Sequence, residues 1–562
     1  MSIDGSAVLA GIAERLWQYR LGREPALQLR SGGKVSQIPA DTLEHAEQKA
    51  AFGSGLLREL NGISKPDLTN DDLLTFECLQ FECERAVRAP EDWWIQFSVT
   101  PYSAMSLGVF LRQIFHEFSF SEREDAERYA ALLHDYSALL LSLKAKLDCL
   151  SERRWLIPKP AIGGVLIMLR GLKSSLGQRM LPCPERLAVL GPAASGWRQK
   201  VERWISGEIE PAFDELMASL GTDYASRAPE AIGLSHLPQG DAAFRARILH
   251  HLTIALEPER IHATGLEEVQ RLNDEMEAVR SSLGFSRKEK GFHEHLRDSG
   301  RYHASSAEEV EQRYRYHMGR MDQVVGLYFS AHPHAPHDVA RLDLALEPGL
   351  SYGYYETPTA SRPSGTYRYN GSGLDTRSQI NSAALIFHEL VPGHHFHLAR
   401  QAENRELPDF RRENIENYAF MEGWAEYASA LAQEMGLYDD PYDWYGRLVQ
   451  ERFSAQRLVV DTGLNALGWT LEQAQAFMRA NTLESDTQIA SEILRYATDL
   501  PAQALTYGLG YLTFRSLRQT TEAALGAHFD VCKYHEAILA PGALPFPVLE
   551  QHLQRFVESQ QT

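Results

Sequence analysis

One short stretch of the sequence places side by side two residue types that metal-assisted hydrolysis requires. His388 is followed directly by Glu389, and after Leu-Val-Pro-Gly come His394 and His395. Imidazole nitrogens bind zinc, and a neighbouring carboxylate can take a proton from the water that attacks a carbonyl group. The stretch therefore indicates a metal centre with hydrolytic chemistry.

The spacing differs from the usual H-E-x-x-H helix, in which one helical turn aligns both histidines. In an unbroken helix His394 would lie about 240° around the axis from His388, and His395 would share its face about 10 Å further along. Pro392 prevents an unbroken helix, because its ring collides with the carbonyl group four residues back. If Pro392-Gly393 bulges out as a two-residue insertion, His394 becomes the second ligand and His395 its rival.

A third ligand is expected from a carboxylate on another helix. The segment 417–432 carries Glu422 and Glu426, which lie four residues apart and share a helical face. Aromatic and small residues surround both, so each carboxylate should be largely buried and should need a metal, an arginine or a histidine as its partner. This pattern leaves Glu422 and Glu426 as alternatives.

The elements that must position these residues are mostly helices. Apolar residues recur at three- and four-residue spacing between charged ones, for example over 122–147 and 308–328. Two aromatic, β-favouring segments, 350–358 and 365–370, instead predict a small β-ribbon next to the metal site. Because a strand edge can pair with an extended peptide, we expect substrate backbone to lie along this ribbon.

The composition is that of a globular protein with a large core, with 562 residues of which 44% are hydrophobic and 23% charged. Single cores usually stop growing near roughly 250 to 300 residues, so we expect a mainly α fold of two lobes that share a long groove. The N-terminal helical lobe is placed at 1–285 and the catalytic lobe at 286–562, in one continuous structural unit.

The charge balance restricts the partners. The formal net charge of −19 opposes binding to nucleic acid or to an anionic membrane surface. The five cysteines are scattered without a C-x-x-C pair, Asp4 stands where a signal peptide would carry positive charge, and no apolar run reaches the ~20 residues of a membrane span. The sequence predicts a cytoplasmic protein and leaves its oligomeric state open.

At these residues the sequence resembles the bacterial family known as domain of unknown function 885, whose pattern is H-E-x-x-P-G-H-H followed by E-G-W-x-x-Y. The two motifs fall on 388–395 and 422–427, and further similarity covers 457–463, 495–496, 501–510 and 529–539. That family is similar to zinc carboxypeptidases of the thermostable Taq type and to thimet-oligopeptidase-like enzymes, which are helical with the site in a groove. The resemblance is firm over the second half of the chain.

The resemblance implies a Zn²⁺ ion held by His388, His394 and Glu422, because the E-G-W motif selects Glu422 over Glu426. Zinc then activates water, with Glu389 as the general base. The function that follows is hydrolysis of peptide bonds in peptides or oligopeptides. A zinc hydrolase of a non-peptide amide or ester, and a metal-free peptide-binding protein on the same fold, are the alternatives.

The resemblance also implies residues that contact the substrate. Tyr507-Gly-Leu-Gly-Tyr511 is similar to a tyrosine motif of those enzymes, so Tyr507 is expected to polarise the oxyanion, with Tyr511 behind it. Arg495 is assigned to substrate binding, although the spacing does not distinguish it from Arg515 or Arg518 as the cation for a terminal carboxylate. The chain also departs from the family, since Asn465 stands where D-T-G-x-H would have histidine.

Overall fold

The computed structural model describes residues 5–285, 289–344, 347, 353–359, 362–374 and 377–561. The fold is 70% helix and 3% strand, with one small sheet. This confirms the expected mainly α fold with a small β element. The predicted helices over 122–147 and 308–328 are present as Glu124–Glu152 and Ala307–Asp322.

Thirteen α-helices occupy the described residues of the first half. They are α1 (Gly5–Leu21), α2 (Pro25–Arg30), α3 (Leu43–Leu60), α4 (Asn70–Val87), α5 (Ala89–Trp94), α6 (Pro101–Phe110), α7 (Glu124–Glu152), α8 (Lys159–Met180), α9 (Ala194–Trp204), α10 (Glu210–Ser219), α11 (Thr222–Arg227), α12 (Gly240–Leu252) and α13 (Pro258–Ser282).

Twelve more α-helices follow in the described part of the second half. They are α14 (Glu289–Asp298), α15 (Ala307–Asp322), α16 (Ser382–Glu389), α17 (His394–Glu403), α18 (Asp409–Arg412), α19 (Tyr418–Leu431), α20 (Pro441–Asn465), α21 (Leu471–Asn481), α22 (Asp486–Leu494), α23 (Leu505–Leu525), α24 (Val531–Leu539) and α25 (Phe546–Gln561).

Several of these helices begin at a residue whose side chain satisfies a free backbone N–H. Helix N-termini leave such donors unpaired, and serine, threonine or aspartate before the first turn accepts from one of them. This cap is present at Thr42, Thr69, Thr100, Ser306, Asp440, Thr470, Ser485 and Asp530. The local sequence therefore determines where many helices start.

The sheet contains three strands in the order β1-β3-β2, namely β1 (His337–Arg341), β2 (Gly353–Glu356) and β3 (Gly365–Tyr369). β2 and β3 are the antiparallel ribbon that the aromatic segments predict. β1 pairs with β3 in parallel and was not predicted. Residues 350–352 of the predicted ribbon lie outside the described residues. Among the described strands β2 lies at an edge of the sheet.

The largest apolar core draws side chains from both halves of the chain, from Leu9 to Leu553. The halves also pack closely where α13 meets α20. A Cβ atom at Gly265 would lie 2.8 Å from the Cβ of Leu458, so the glycine permits this approach. The division into lobes at residue 285 stays a prediction. No helix among the described residues is long and apolar enough to cross a membrane.

Candidate metal centre

The His388-Glu389 motif lies at the end of a helix and not in the middle of one. α16 ends at Glu389, and α17 begins at His394, so the four residues 390–393 connect two separate helices. This interruption is larger than the two-residue bulge expected from Pro392-Gly393. It has the expected consequence, because His394 turns back towards His388 and their ring centroids lie 4.8 Å apart.

Two features hold the connection between α16 and α17 in place. A Cβ atom at Gly393 would lie 1.9 Å from the carbonyl oxygen of His388, so a larger residue cannot occupy this position without displacing the backbone. The indole Nε1 of Trp424 donates a hydrogen bond of 3.0 Å to the carbonyl oxygen of Pro392. The tryptophan of the E-G-W motif therefore fixes the connection beside the histidines.

His388, His394 and Glu422 form a cluster whose ligand atoms all lie within 4.8 Å of one another. Oε2 of Glu422 lies 3.6 Å from Nε2 of His388 and 3.3 Å from Nε2 of His394. Tetrahedral zinc with bonds of about 2.0–2.1 Å would place its ligand atoms about 3.3 Å apart. Within the described part of the chain this buried Oε2 has no well-aligned hydrogen bond. The three residues therefore fit a zinc ion.

The rival ligand His395 points away from this cluster. Its Nδ1 lies 2.9 Å from the hydroxyl of Tyr355 in β2, and its Nε2 lies 3.1 Å from the carbonyl oxygen of Ala335. Both ring nitrogens are thus engaged by other groups. His395 instead connects α17 to the sheet, and the geometry favours His394 as the second ligand.

The rival carboxylate Glu426 lies one turn after Glu422, behind His388. Its Oε1 is 3.6 Å from Nδ1 of His388, and the same carboxylate accepts hydrogen bonds from Arg447 (2.9 Å) and Ser454 (3.1 Å). Carboxylates in this position orient a metal-binding histidine through its second ring nitrogen. Glu426 is therefore placed as a positioning residue.

The two carboxylates that face the centre differ in protonation. Burial alone would raise the pKa of Glu422, but the imidazoles of His394 and His388 hold it below its ordinary value. Burial raises the pKa of Glu389 to about 7, with Glu422 and Glu426 adding to the rise and His394 opposing it. Glu422 is thus a carboxylate suited to binding a cation, and Glu389 can exchange a proton near neutral pH.

Tyr507 is brought to the centre by close packing of α19 against α23. A Cβ atom at Gly423 would lie 2.5 Å from the Cα of Gly510, so only glycine at both positions allows this distance. The Tyr507 ring lies parallel to the His388 ring at 6.4 Å between centroids. Burial, together with Glu422, raises the pKa of Tyr507 to about 12, which keeps its hydroxyl a hydrogen-bond donor.

The structure also identifies a support for Tyr507. The guanidinium carbon of Arg457 lies 4.5 Å from the centroid of the Tyr507 ring. Arg457 was noticed in the sequence only as part of a motif, and its role could not be read from spacing because the two residues are 50 positions apart. Tyr355 and Arg447 were missed for the same reason, since both act through residues distant in the chain.

Tyr511 and Arg495, the predicted substrate-binding residues, lie outside the three-residue cluster. The Tyr511 ring lies between Arg447 and Arg515, each with its guanidinium carbon 5.6 Å from the ring centroid. Arg495 donates to Gln503 (2.6 Å) and Glu492 (3.4 Å), and its charge acts to lower the pKa of Tyr507. Substrate binding by Tyr511 and Arg495 stays a prediction.

The other two arginines considered for a terminal carboxylate are paired. Arg518 bonds to Glu434 (2.8 Å) and Glu522 (2.7 Å), and Arg515 lies 3.4 Å from Glu268. Neither is therefore a free cation for a substrate. A different cation is considered below.

Asn465, which departs from the family pattern, lies in a buried hydrogen-bond network. Its Nδ2 donates to Oδ1 of Asp461 (2.8 Å) and to the carbonyl oxygen of Tyr496 (3.0 Å), while its Oδ1 accepts from the backbone N–H of Leu234 (2.9 Å). Asn465 therefore joins α20 to two other segments. It is not part of the candidate metal cluster.

Comparison with known proteins places the chain among bacterial relatives. The family described as bacterial protein of unknown function (DUF885) matches residues 25–553. A candidate lipoprotein from Colwellia psychrerythraea has a similar structure, with a TM-score of 0.85, 24% identity, and coverage of 99% of this chain and 100% of that one. A candidate lipoprotein of unknown function from Shewanella oneidensis has a TM-score of 0.73 and 16% identity, covering 98% and 100%. The comparison with curated proteins gave no match.

Proposed function

The chain belongs to the DUF885 family, and we propose that it is a zinc-dependent peptidase acting on peptides or oligopeptides. The observation that carries the proposal is the cluster of His388, His394 and Glu422, in which Oε2 of Glu422 lies 3.6 and 3.3 Å from the two imidazole nitrogens, close to the separation expected around tetrahedral zinc. Two histidines and a glutamate are also the ligand set of well-known zinc peptidases.

When bound at these three residues, zinc supplies the Lewis acid chemistry of hydrolysis. Glu389 takes a proton from the attacking water and passes it to the leaving amine. Burial raises its pKa above the ordinary value, and a general base works best when its pKa is near the operating pH. The Tyr507 hydroxyl donates a hydrogen bond to the negative charge that develops on the carbonyl oxygen.

The sheet offers a place for the substrate backbone. β2 is an edge strand among the described residues, and its Tyr355 bonds to His395, the neighbour of His394. An extended peptide that adds to this edge would lie beside the centre. This supports a peptide over a small amide or ester. The cytoplasmic location stays a prediction.

The experiment compares the full chain with its Glu389→Gln variant. Zinc is measured by elemental analysis after purification without chelators or a metal-affinity tag, and hydrolysis is measured on a mixed peptide library. We expect one zinc per chain in both proteins and an activity about 10² to 10⁴ times lower in the variant, because the general base is lost. Glu406→Gln, on an exposed loop, is the matched control and should retain activity.

The outcomes separate the alternatives. Absence of zinc together with retained peptide binding would favour a metal-free binding protein. Zinc with activity on esters or non-peptide amides alone would favour the other hydrolase. Activity that survives in the Glu389→Gln variant would remove Glu389 from the mechanism.

A further inference from the structure

A second cavity lies in the first half of the chain and is lined by positively charged groups. Its volume is about 480 Å³, which is within the range of small-ligand sites. The charged side chains that line it are Lys49, Arg85, Asp92, Lys146 and Arg247, together with Asp41. Four cations against two carboxylates is unusual in a protein whose net charge is −19. This cavity is called the cation-lined cavity below.

Three buried nitrogen atoms on residues beside the cation-lined cavity have no hydrogen-bond partner among the described residues. Nε of Arg247, Nε1 of Trp93 and Nδ1 of His250 make no hydrogen bond within the described parts of the chain. The Arg247 residue is 9% exposed and Trp93 is 8% exposed, so few water molecules can reach them. Since buried polar groups are nearly always paired, these atoms leave the side chains beside the cavity incompletely satisfied.

Arg85 is paired with Glu416, but two other cations of the cavity, Arg247 and Lys146, are incompletely neutralised. Arg247 has its nearest carboxylate, Asp92, at 3.5 Å, and Lys146 bonds to Asp41 at 2.9 Å. Burial lowers the pKa of Arg247 and of Lys146, and neither carboxylate fully opposes this effect. An anion bound in the cavity would stabilise both charges. The guanidinium group of arginine matches a carboxylate in shape.

The rest of the cavity wall combines polar residues, among them Gln96, Ser98 and Ser103, with an apolar group. Its members include Phe97, Val99, Phe110, Leu139 and Leu143. A ligand that fills this space would therefore combine a carboxylate with an apolar side chain. A peptide that ends in an apolar residue has this combination.

Tyr418 links the cation-lined cavity to the candidate metal centre. It is the first residue of α19 and lies one turn before Glu422. Its ring lies 6.0 Å from that of His251, the neighbour of His250, and its hydroxyl is within electrostatic range of both Arg85 and Glu422. Tyr418 is therefore close to residues of both the cavity and the centre.

We propose that the cation-lined cavity binds a carboxylate of the peptide substrate, with Arg247 as its main partner and an apolar side chain of the peptide against the apolar group of the wall. The assignment rests on the proposed peptidase function for the identity of the ligand. In this assignment Arg247 takes the place of Arg495, Arg515 and Arg518 as the cation for the substrate carboxylate. No sequence motif indicated Arg247. The carboxylate could come from the C-terminus or from an acidic side chain, and three peptides distinguish these sources.

The test measures binding by isothermal titration calorimetry to the full-length Glu389→Gln protein, in which hydrolysis is suppressed. The probes are acetyl-Ala-Ala-Ala-Phe with a free C-terminus, its C-terminal amide, and acetyl-Ala-Ala-Glu-Phe amide. We expect the free acid to bind about 10 to 100 times more tightly than the first amide, because hydrogen bonds to charged groups are stronger than neutral ones. Tighter binding of the glutamate peptide alone would identify an acidic side chain as the source.

Two further proteins assign the effect to the cavity. Arg247→Gln should remove the difference between acid and amide, whereas Arg245→Gln should keep it, because Arg245 lies on the same helix but is exposed and paired with Asp241. The acid-against-amide comparison needs no cavity variant, so equal binding still overturns the proposal if Arg247→Gln fails to fold. Equal binding of all three peptides, or no binding, overturns the proposal.

The two proposals can fail separately. Zinc-dependent hydrolysis with equal binding of acid and amide would reject the cavity assignment and leave the peptidase function standing. Carboxylate-dependent binding that needs Arg247, in a chain that binds no zinc and hydrolyses no peptide, would reject the peptidase function and leave the cavity as a carboxylate site.

Discussion

Two buried arginines, one behind the candidate metal centre and one in the cation-lined cavity, differ in how completely their charge is neutralised. Arg447, behind the candidate metal centre, is 0% exposed and lies 2.9 Å from Glu426 and 3.3 Å from Glu451. Arg247, in the cation-lined cavity, has a single carboxylate at 3.5 Å. Burial lowers the pKa of both, but the two glutamates bring that of Arg447 above its ordinary value, whereas that of Arg247 stays below.

The difference distinguishes a charge that has a structural role from a charge that a bound ligand would stabilise. The fold stabilises the charged form of Arg447, because Arg447 holds Glu426 next to His388. The fold disfavours the charged form of Arg247, because burial removes the guanidinium from water and Asp92 opposes this effect only in part. The first pattern is expected of a positioning network and the second of a binding site.

The largest expected effect comes from Arg447→Met. Removing this cation leaves the buried Glu426 without its arginine, although Glu451 keeps Arg271, so the free energy of unfolding should fall by about 3 to 5 kcal/mol. Urea unfolding followed by circular dichroism measures this change. A loss below 1 kcal/mol would show that the network behind the centre is not structural and would remove the contrast with Arg247.

An intermediate effect is expected for Gly510→Ala, which tests the helix contact that supports the same region. Its Cβ atom would lie 2.5 Å from the carbonyl oxygen of Ala419, so α19 and α23 must separate. The free energy of unfolding should fall by about 1 to 3 kcal/mol, and hydrolysis should decrease because Tyr507 moves. Gly171→Ala, at an exposed helix position with open space, is the control and should stabilise the chain by up to about 1 kcal/mol.

The smallest effect on stability is expected for Arg247→Met. The methionine fills similar space, and the remaining Asp92 side chain is 24% exposed and can be hydrated. The free energy of unfolding should change by less than about 1 kcal/mol, while carboxylate binding is lost. Thermal unfolding of this variant beside Arg447→Met tests the comparison directly, and equal losses in the two variants would contradict it.

Much of the candidate centre was predictable because its chemistry is concentrated in short motifs. The interval between His388 and His394, interrupted by Pro392, indicated a broken helix, and the break is present although it is four residues long. The mainly helical fold followed from apolar periodicity, and helix starts followed from capping residues. β1 was missed because its pairing with β3 depends on segments 28 residues apart.

By itself, then, the sequence determined which residues have the right chemistry and which segments form helices, because both properties depend on neighbours in the chain. Only the tertiary structure brings His394 and Glu422 together with His388 and gives His395 and Glu426 other partners, because each arrangement depends on contacts with other elements. The cation-lined cavity is the clearest case. Arg85, Lys146 and Arg247 come from three helices, and no local pattern shows that they face one space.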